Sequence, residues 1–405
     1  MAELSATEKI ALIKQGLQEV LQEDIIVDVI EKQQRPLKIY WGTAPTGRPH
    51  CGYFVPMVKI AHFLQAGCEV KVLLADIHAF LDNMKAPLEL VAHRAKYYEL
   101  VIKSVLRAIG VSIEKLTFVK GSDYQLKQEY TMDLFRLSSI VTEHDAKKAG
   151  AEVVKQVASP LLSGLIYPLM QALDEEHLGV DAQFGGVDQR KIFTLAAENL
   201  TKIGFKERAH LMNPMVPGLA GGKMSASDPN SKIDLLDKPE VVKSKLRKAV
   251  CAPQDTEDNG VLSFVEYVLF PIAQLSGEPI FHVPRPDKYG GPVDYSSFEK
   301  LKEAYADGSL QPGDLKAGVE QALNALLAPI QAEYTADEEW QNIAELAYPP
   351  PVAEKKKKKE KKIGTGYHAN KGAVVADGKA KPKEAVKEAV GTGAEEALEK
   401  LKVDN

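Results

Sequence analysis

Leu37-Lys38-Ile39-Tyr40-Trp41-Gly42-Thr43-Ala44-Pro45-Thr46-Gly47-Arg48-Pro49-His50-Cys51-Gly52-Tyr53 is the stretch on which the fold of this 405-residue chain turns. Residues 37–41 read as a strand, and the Gly, Pro and Thr that follow break it into a loop. Beyond the loop, Phe54, Val58, Ile60, Phe63 and Leu64 recur as on a helix, which Gly67 stops. Val70-Lys71-Val72-Leu73-Leu74 is then a buried strand. The unit takes about 35 residues, enough for a crossover between parallel strands. Pro87 opens a second helix with Val91, Val101, Ile102, Val105 and Ile109 apolar, and Gly110 ends it. Leu116-Thr117-Phe118-Val119 follows as a third strand. This alternation predicts an α/β fold with a Rossmann-type, doubly wound parallel sheet. Ligands of such sheets lie beyond the carboxyl ends of the strands, here the loops 42–50 and 75–85.

Upstream, Ile10, Ile13, Leu17 and Leu21 fall on one face of an amphipathic helix. Downstream, residues 124–180 are mostly helical and interrupt the sheet. Asp181-Ala182-Gln183-Phe184 returns as a strand ending in Gly185-Gly186. From about residue 235 the pattern is helical over 240–250, 261–270, 297–306 and 314–334, broken by the turn-rich segment 282–295. After Pro349-Pro350-Pro351 the composition changes abruptly. Lys355 to Lys362 is seven lysines and one Glu, and the rest has little apolar periodicity. Such a segment cannot offset its ordering entropy by burial, so disorder is expected. The predicted division is therefore a Rossmann-type domain over 1–234 with a helical insertion at about 124–165, a helical domain over 235–350, and a Lys-rich tail over 351–405.

Net charge is −5, but its distribution matters more than its sum. Residues 355–405 hold 14 Lys against 8 acids, leaving 37 basic and 48 acidic residues in the body. A polyanion bound by that body must be held by local patches. Three dispersed cysteines suit a reducing compartment and give neither a disulfide framework nor zinc spacing. There is no H-E-x-x-H, and no protein-held metal is expected. No apolar run approaches the roughly 20 residues of a membrane span. The acidic, Arg-free start is unlike a leader peptide, so a cytoplasmic location is expected.

Two constellations carry chemistry. The turn around His50 joins a strand to a helix, where free N–H groups and the helix dipole favour phosphate. Its histidine can donate to a phosphate whose charge grows during transfer, and Gly52 permits close approach of a nucleotide. The second is Gly218-Leu219-Ala220-Gly221-Gly222-Lys223-Met224-Ser225-Ala226-Ser227. It is not a P-loop, since Pro217 stands where the first glycine belongs and Met224 replaces the Ser/Thr. A glycine loop carrying one Lys to a polyphosphate is a different design. Either element alone reads equally well as a surface loop.

A His turn and a K-M-S-x-S loop 173 residues apart in such a chain resemble the paired motifs of class I aminoacyl-tRNA synthetases. Further blocks resemble the cytosolic eukaryotic tyrosyl-tRNA synthetases: 40–43, 81–85, 167–174, 183–191 and 212–218. The resemblance spans about residues 5–350. It implies ATP, with Mg²⁺ delivered alongside, L-tyrosine and tyrosine tRNA as ligands, and His50 and Lys223 as the groups that stabilise the transition state. By the same resemblance Tyr40 and Asp174 hold the tyrosine hydroxyl, and Tyr167, Gln171 and Gln189 surround its α-amino group. Gly186 and Asp188 hold the ATP ribose, Met215-Val216 lie beside the adenine, and Gly52, Met224 and Ser225 complete the ATP site. A homodimer formed through the 124–165 insertion is implied as well.

Ala226 departs from the family, and K-M-S-A-S is the form common in tryptophanyl enzymes. A tryptophanyl-tRNA synthetase and a non-catalytic tRNA-binding paralogue are therefore the competing readings. The resemblance also implies that Tyr289 stacks on the first anticodon base and that Asp314 accepts hydrogen bonds from it. Asp314 reads equally as the N-cap of the last helix. Lys243, Lys245, Arg247 and Lys248 suit phosphate contact, nuclear import of a minor pool, or a solvated helix face. The lysine run at 355–362 reads as sequence-independent RNA affinity or as a spacer.

Overall fold

The computed structural model describes residues 4–82, 87–154, 161–218, 232–257 and 259–350. Six strands form its main sheet: β1 Glu19–Leu21, β2 Lys38–Thr43, β3 Glu69–Leu74, β4 Leu116–Lys120, β5 Ala182–Gly186 and β6 Ala209–Asn213, in the order β1-β6-β5-β2-β3-β4. All pairs are parallel except β1 with β6. The chain winds outward from β2 through β3 to β4, then crosses to β5 and β6 on the other side. The strand order thus reverses between β2 and β5, which opens a crevice at their carboxyl ends.

Alternation along the strands explains the two covered faces. Ile39, Trp41, Val70, Val72 and Leu74 enter the core that includes Phe54, Ile60 and Phe63 of the helix Phe54–Gln65 and Val101, Ile102 and Val105 of the helix Leu88–Ala108. Tyr40 and Leu73 point the other way, into a core with Leu169, Met170 and Leu173 of the helix Leu162–His177 and Ile192 and Leu195 of the helix Arg190–Asn199. Parallel strands buried on both faces read as the near-continuous apolar runs seen in the sequence.

The predicted N-terminal helix is shorter than its periodicity suggests. It spans Ala6–Lys14 with a Ser5–Glu8 capping box, and Gly16 adopts a left-handed φ of 72° that turns the chain away. Leu21, expected on that helix, lies instead in β1. The insertion provides two helices, Gln128–Ser138 and Glu143–Ala149, before Leu162–His177.

Helices follow at Pro239–Lys248, Gly260–Phe264, Phe270–Leu275, Phe298–Ala306, Pro312–Ala336 and Glu338–Ala347. The turn-rich 282–295 segment is a two-stranded antiparallel ribbon, β7 Phe281–Val283 and β8 Val293–Tyr295. The long helix starts two residues earlier than predicted, with Gln311 as N-cap and Pro312 in its first turn. Asp314 is therefore not the cap but a first-turn acid, placed to favour the helix dipole. The Lys-rich tail 351–405 lies outside the described residues.

Candidate active site

A cavity of about 310 Å³ opens at the carboxyl ends of β2 and β3. Its walls include Tyr40, His50, His78, Tyr167, Gln171, Asp174, Gln183 and Gln189. A second cavity, of about 200 Å³, is lined by Gly185, Gly186, Asn213, Pro214 and Val216, and the two share Trp41, His50, Gly52 and Pro56. His50 therefore stands where the two spaces meet.

Local structure places each group. Tyr167, Gln171 and Asp174 are spaced by four and three residues, which aligns them on one face of the 162–177 helix. Tyr40 and Gln183 sit side by side in the β2–β5 register. The Tyr40 hydroxyl donates to the Gln171 carbonyl at 3.2 Å, and Gln171 Nε2 donates to Gln189 Oε1 at 2.8 Å. A polar rim thus connects the floor of the first cavity with the 3₁₀ turn Val187–Gln189 after β5.

Asp174 is fully buried, and its two oxygens differ. Oδ1 accepts from Tyr124 Oη at 2.7 Å, Gln125 Nε2 at 2.8 Å and Tyr130 Oη at 2.9 Å. Oδ2 is buried without a hydrogen-bond partner, 3.9 Å from His78 Nε2, which also has none. Burial pushes the Asp174 carboxyl up to about 7, against the pull of Gln125, Tyr124 and Tyr130. Burial lowers His78 to about 4, so its imidazole is neutral and the pair is not an ion pair near neutrality. An acceptor left open at the closed end of an aromatic cavity is a site for a ligand hydroxyl.

His50 caps the 3₁₀ turn Cys51–Tyr53 that leads into the 54–65 helix. Its Nδ1 accepts from the Gly52 N–H at 3.2 Å, which places the imidazole proton on Nε2. Burial, with the charge of Lys232, lowers it to about 4, so near neutrality it is an uncharged donor. Aromatic rings back the turn: Tyr53 meets His50 edge to face at 5.8 Å and bonds Thr43 Oγ1 at 3.0 Å. The preceding carbonyls are held from behind. Arg94 donates to Thr46 O at 2.8 Å, while Tyr98 and Tyr348 donate to Gly47 O at 2.5 and 2.8 Å. Residues after the glycine-rich segment reach the same turn, since Cys51 N–H donates to Ile233 O at 2.9 Å and His50 bridges Asp234. Lys223, Met224 and Ser225 themselves lie outside the described residues.

In the second cavity, Gly185 and Gly186 leave room that side chains would take. A Cβ at Gly186 would lie 2.5 Å from Asp188 Oδ1 and 3.9 Å from Met215 Sδ. Val216 lines the wall, and Met215 is partly exposed beside it.

Tyr289 is 62% exposed in the turn between β7 and β8, with Lys288 Nζ 4.7 Å from its ring centroid. The ribbon rests on the 312–336 helix at Gly318, one turn after Asp314; a Cβ there would come within 2.9 Å of His282 O. Of the basic patch, Lys245 pairs with Asp237 at 2.6 Å and Lys243 lies 3.9 Å from Glu320.

The structure thus gathers Tyr40, His50, Gly52, Tyr167, Gln171, Asp174, Gln189 and, next door, Gly186 and Val216. Sequence reasoning missed His78, Tyr124, Gln125, Tyr130 and Gln183. A signal for some of them existed. His78 lies in the 75–85 loop region already marked by topology, and Tyr124-Gln125 follow the carboxyl end of β4.

Residues 32–328 match the family described as tRNA synthetases class I (W and Y). The chain is 63% identical over 372 residues to a protein named cytoplasmic tyrosine–tRNA ligase from Saccharomyces cerevisiae, covering 90% of this chain and 94% of that one. A protein of the same name from Danio rerio is 60% identical over 349 residues, 86% of this chain but 64% of the longer relative. In three dimensions the chain is similar to the tyrosyl-tRNA synthetase of Archaeoglobus fulgidus solved with L-tyrosine, at 39% identity and a TM-score of 0.75, covering 81% of this chain and 99% of that one.

Proposed function

The chain belongs to the class I tRNA synthetases of tryptophan and tyrosine, and from that premise we infer that it is a tyrosine–tRNA ligase. The observation that carries the choice of amino acid is the open Oδ2 of buried Asp174 in a cavity that Tyr40 also lines. A tyrosine ring fits that cavity with its hydroxyl donating to Asp174 Oδ2 and accepting from Tyr40, whose proton turns to it from the Gln171 carbonyl. Phenylalanine would leave Asp174 Oδ2 without a partner, at about 1–3 kcal/mol, while Tyr40 keeps its bond to Gln171 O. Tyr167, Gln171 and Gln189 then surround the α-amino group, and the carboxylate points to His50.

MgATP is the second substrate. Its adenine lies along Met215 and Val216, its ribose on Gly186 and Asp188, and its phosphates near the start of the 54–65 helix. Gly52, without a side chain, keeps the passage between the two cavities open. A tyrosine carboxylate oxygen attacks the α-phosphorus, the bond to the bridging oxygen of the β-phosphate breaks, and pyrophosphate leaves. No protein nucleophile is needed, so positioning and charge stabilisation do the catalysis. His50 Nε2–H and Lys223 supply donors to the phosphate oxygens, with Met224 and Ser225 beside them. A hydroxyl of the tRNA's terminal ribose then attacks the tyrosyl carbonyl, and AMP leaves.

In this reading residues 1–234 are the catalytic domain and 235–350 bind the anticodon, where exposed Tyr289 offers a stacking face and Asp314 an acceptor. The tail 351–405 adds basic charge. The insertion exposes Leu126, Met132, Phe135, Ile140, Leu161 and Leu162, and this apolar surface supports a homodimer. The protein acts in the cytoplasm, as the names of its relatives state for them, with a minor nuclear pool allowed by the basic patch.

ATP–pyrophosphate exchange with each of the twenty amino acids tests the reading. Exchange driven by tyrosine, with phenylalanine far behind as a weak substrate, is expected. Exchange driven by tryptophan would overturn the pocket assignment, and none at all would favour a tRNA-binding paralogue.

A further inference from the structure

We propose that Tyr130, on the insertion helix Gln128–Ser138, is a positioning residue for tyrosine recognition: with Tyr124 and Gln125 it saturates Oδ1 of Asp174, so that Oδ2 is the oxygen left to the substrate hydroxyl. The proposal rests on the tyrosine–tRNA ligase reading and adds a residue that does not line the cavity.

A carboxylate turns easily about its last torsion, which is broad and roughly two-fold. Nothing in Asp174 itself distinguishes one oxygen from the other. The surroundings do. Three donors converge on Oδ1 within 2.9 Å, and none reaches Oδ2. Tyr130 Oη is also 2.8 Å from Met170 O, one turn before Asp174 on the same helix. Its single proton is therefore offered to that helix whichever oxygen it chooses. The ring is fixed in turn by Tyr124 at 5.6 Å and His177 at 4.7 Å between centroids, and His177 Nε2 is 3.2 Å from Asp133 Oδ2. Tyr130 is thus a buried, braced donor, while Met132 and Phe135 of the same helix face outward.

The titratable groups around Asp174 come from every packed element. They are Tyr40 from β2, His78 from the helix Asp76–Leu81, Tyr124 from the turn after β4, Tyr130 from the insertion, and Tyr167 and Glu175 from its own helix. His78 is uncharged near neutrality, and Glu175 is paired with His210 Nε2 at 2.8 Å. The hydroxyl and amide donors are the groups that favour ionised Asp174. Removing one of them raises its affinity for a proton, which would occupy the oxygen that must accept from the substrate.

The test is Tyr130→Phe in the full chain, assayed by pyrophosphate exchange with tyrosine and with phenylalanine from pH 5.5 to 9. KM for tyrosine should rise about tenfold with kcat within twofold, consistent with the loss of one hydrogen bond to a charged group. The acid limb of kcat/KM for tyrosine should move up by about one pH unit. The phenylalanine profile should not move. An unchanged tyrosine profile, or equal losses for both amino acids, overturns the proposal while leaving wild-type exchange, and so the ligase reading, intact. A wild-type protein inert toward tyrosine overturns both. Should Tyr130→Phe not fold, Tyr124→Phe removes another donor from the same oxygen and must give the same split.

Discussion

The hydroxyl of Tyr348 donates to the carbonyl of Gly47 at 2.8 Å, joining positions 301 residues apart. Arg94 completes the clamp, donating to Thr46 O and to Ala347 O and lying 5.1 Å from the Tyr348 ring centroid. The turn that presents His50 is therefore held by the end of the last described helix. Tyr348→Phe leaves Tyr98 as the other donor on Gly47 O. It should cost about 1 kcal/mol of stability and slow tyrosine activation roughly fivefold, read by denaturant titration and pyrophosphate exchange. Unchanged exchange would make the clamp purely structural.

His50 presents a neutral Nε2–H fixed by Gly52, and the proposed mechanism uses it as a donor to phosphate. His50→Ala should slow activation by about 10²–10³ while tyrosine binding, followed by calorimetry, stays near wild type. Glutamine can carry an amide nitrogen toward the position of Nε2, so His50→Gln should recover part of that loss. Equal rates for the two variants would remove the donor role.

Gly186→Ala drives a methyl group to 2.5 Å from Asp188 Oδ1. The carboxylate must move, and with Asp188 in its proposed role on the ribose KM for ATP should rise about 10–100-fold, the worth of a hydrogen bond to a charged group. KM for tyrosine should hold. A rise in both would point to collapse of the β5 end.

The apolar outer face of the insertion contains Phe135, 61% exposed, beside Met132. Changing both to Glu should convert a dimer to monomers in sedimentation velocity. If wild type is itself monomeric at assay concentration, this surface is not a self-association site.

Acid should destabilise the protein before most carboxylates titrate. Burial lowers His50, His62 and His78 to about 4, from 6.5, so between those values the unfolded chain binds more protons and stability falls with pH. Asp174, raised to about 7, acts in the opposite sense, because its folded form holds a proton that the unfolded chain releases above its ordinary value of 3.8. Among these four groups, three imidazoles against one carboxyl leave a net uptake of about two protons on unfolding near pH 5, which Asp234 and Glu266, also raised by burial, reduce. Urea midpoints between pH 6.5 and 4.5 should decline, and more steeply in Asp174→Asn. A flat profile would mean that these side chains are hydrated.

Much of this was legible in the chain because parallel strands buried on both faces leave near-continuous apolar runs, as at 70–74, where Lys71 is the one polar residue. The spacing of Tyr167, Gln171 and Asp174 likewise declares a helix face. What escaped depends on partners distant in sequence. β1 is three residues long and exists by pairing Glu19, Val20 and Leu21 with β6. The 281–295 ribbon looks like a bare turn until it lies on Gly318. Tyr124, Gln125 and Tyr130 meet Asp174 across 44 to 50 positions, and their own neighbourhood in the sequence gives no sign of it.

β1 has one further consequence. By running antiparallel to β6 it covers the N–H and C=O groups of a longer strand beside the second cavity and leaves an edge only three residues long. A chain begun at residue 22 would keep every group that lines the two cavities. It would also carry an unpaired strand able to recruit another such chain, so that shortening should be lost to aggregation rather than to failed catalysis.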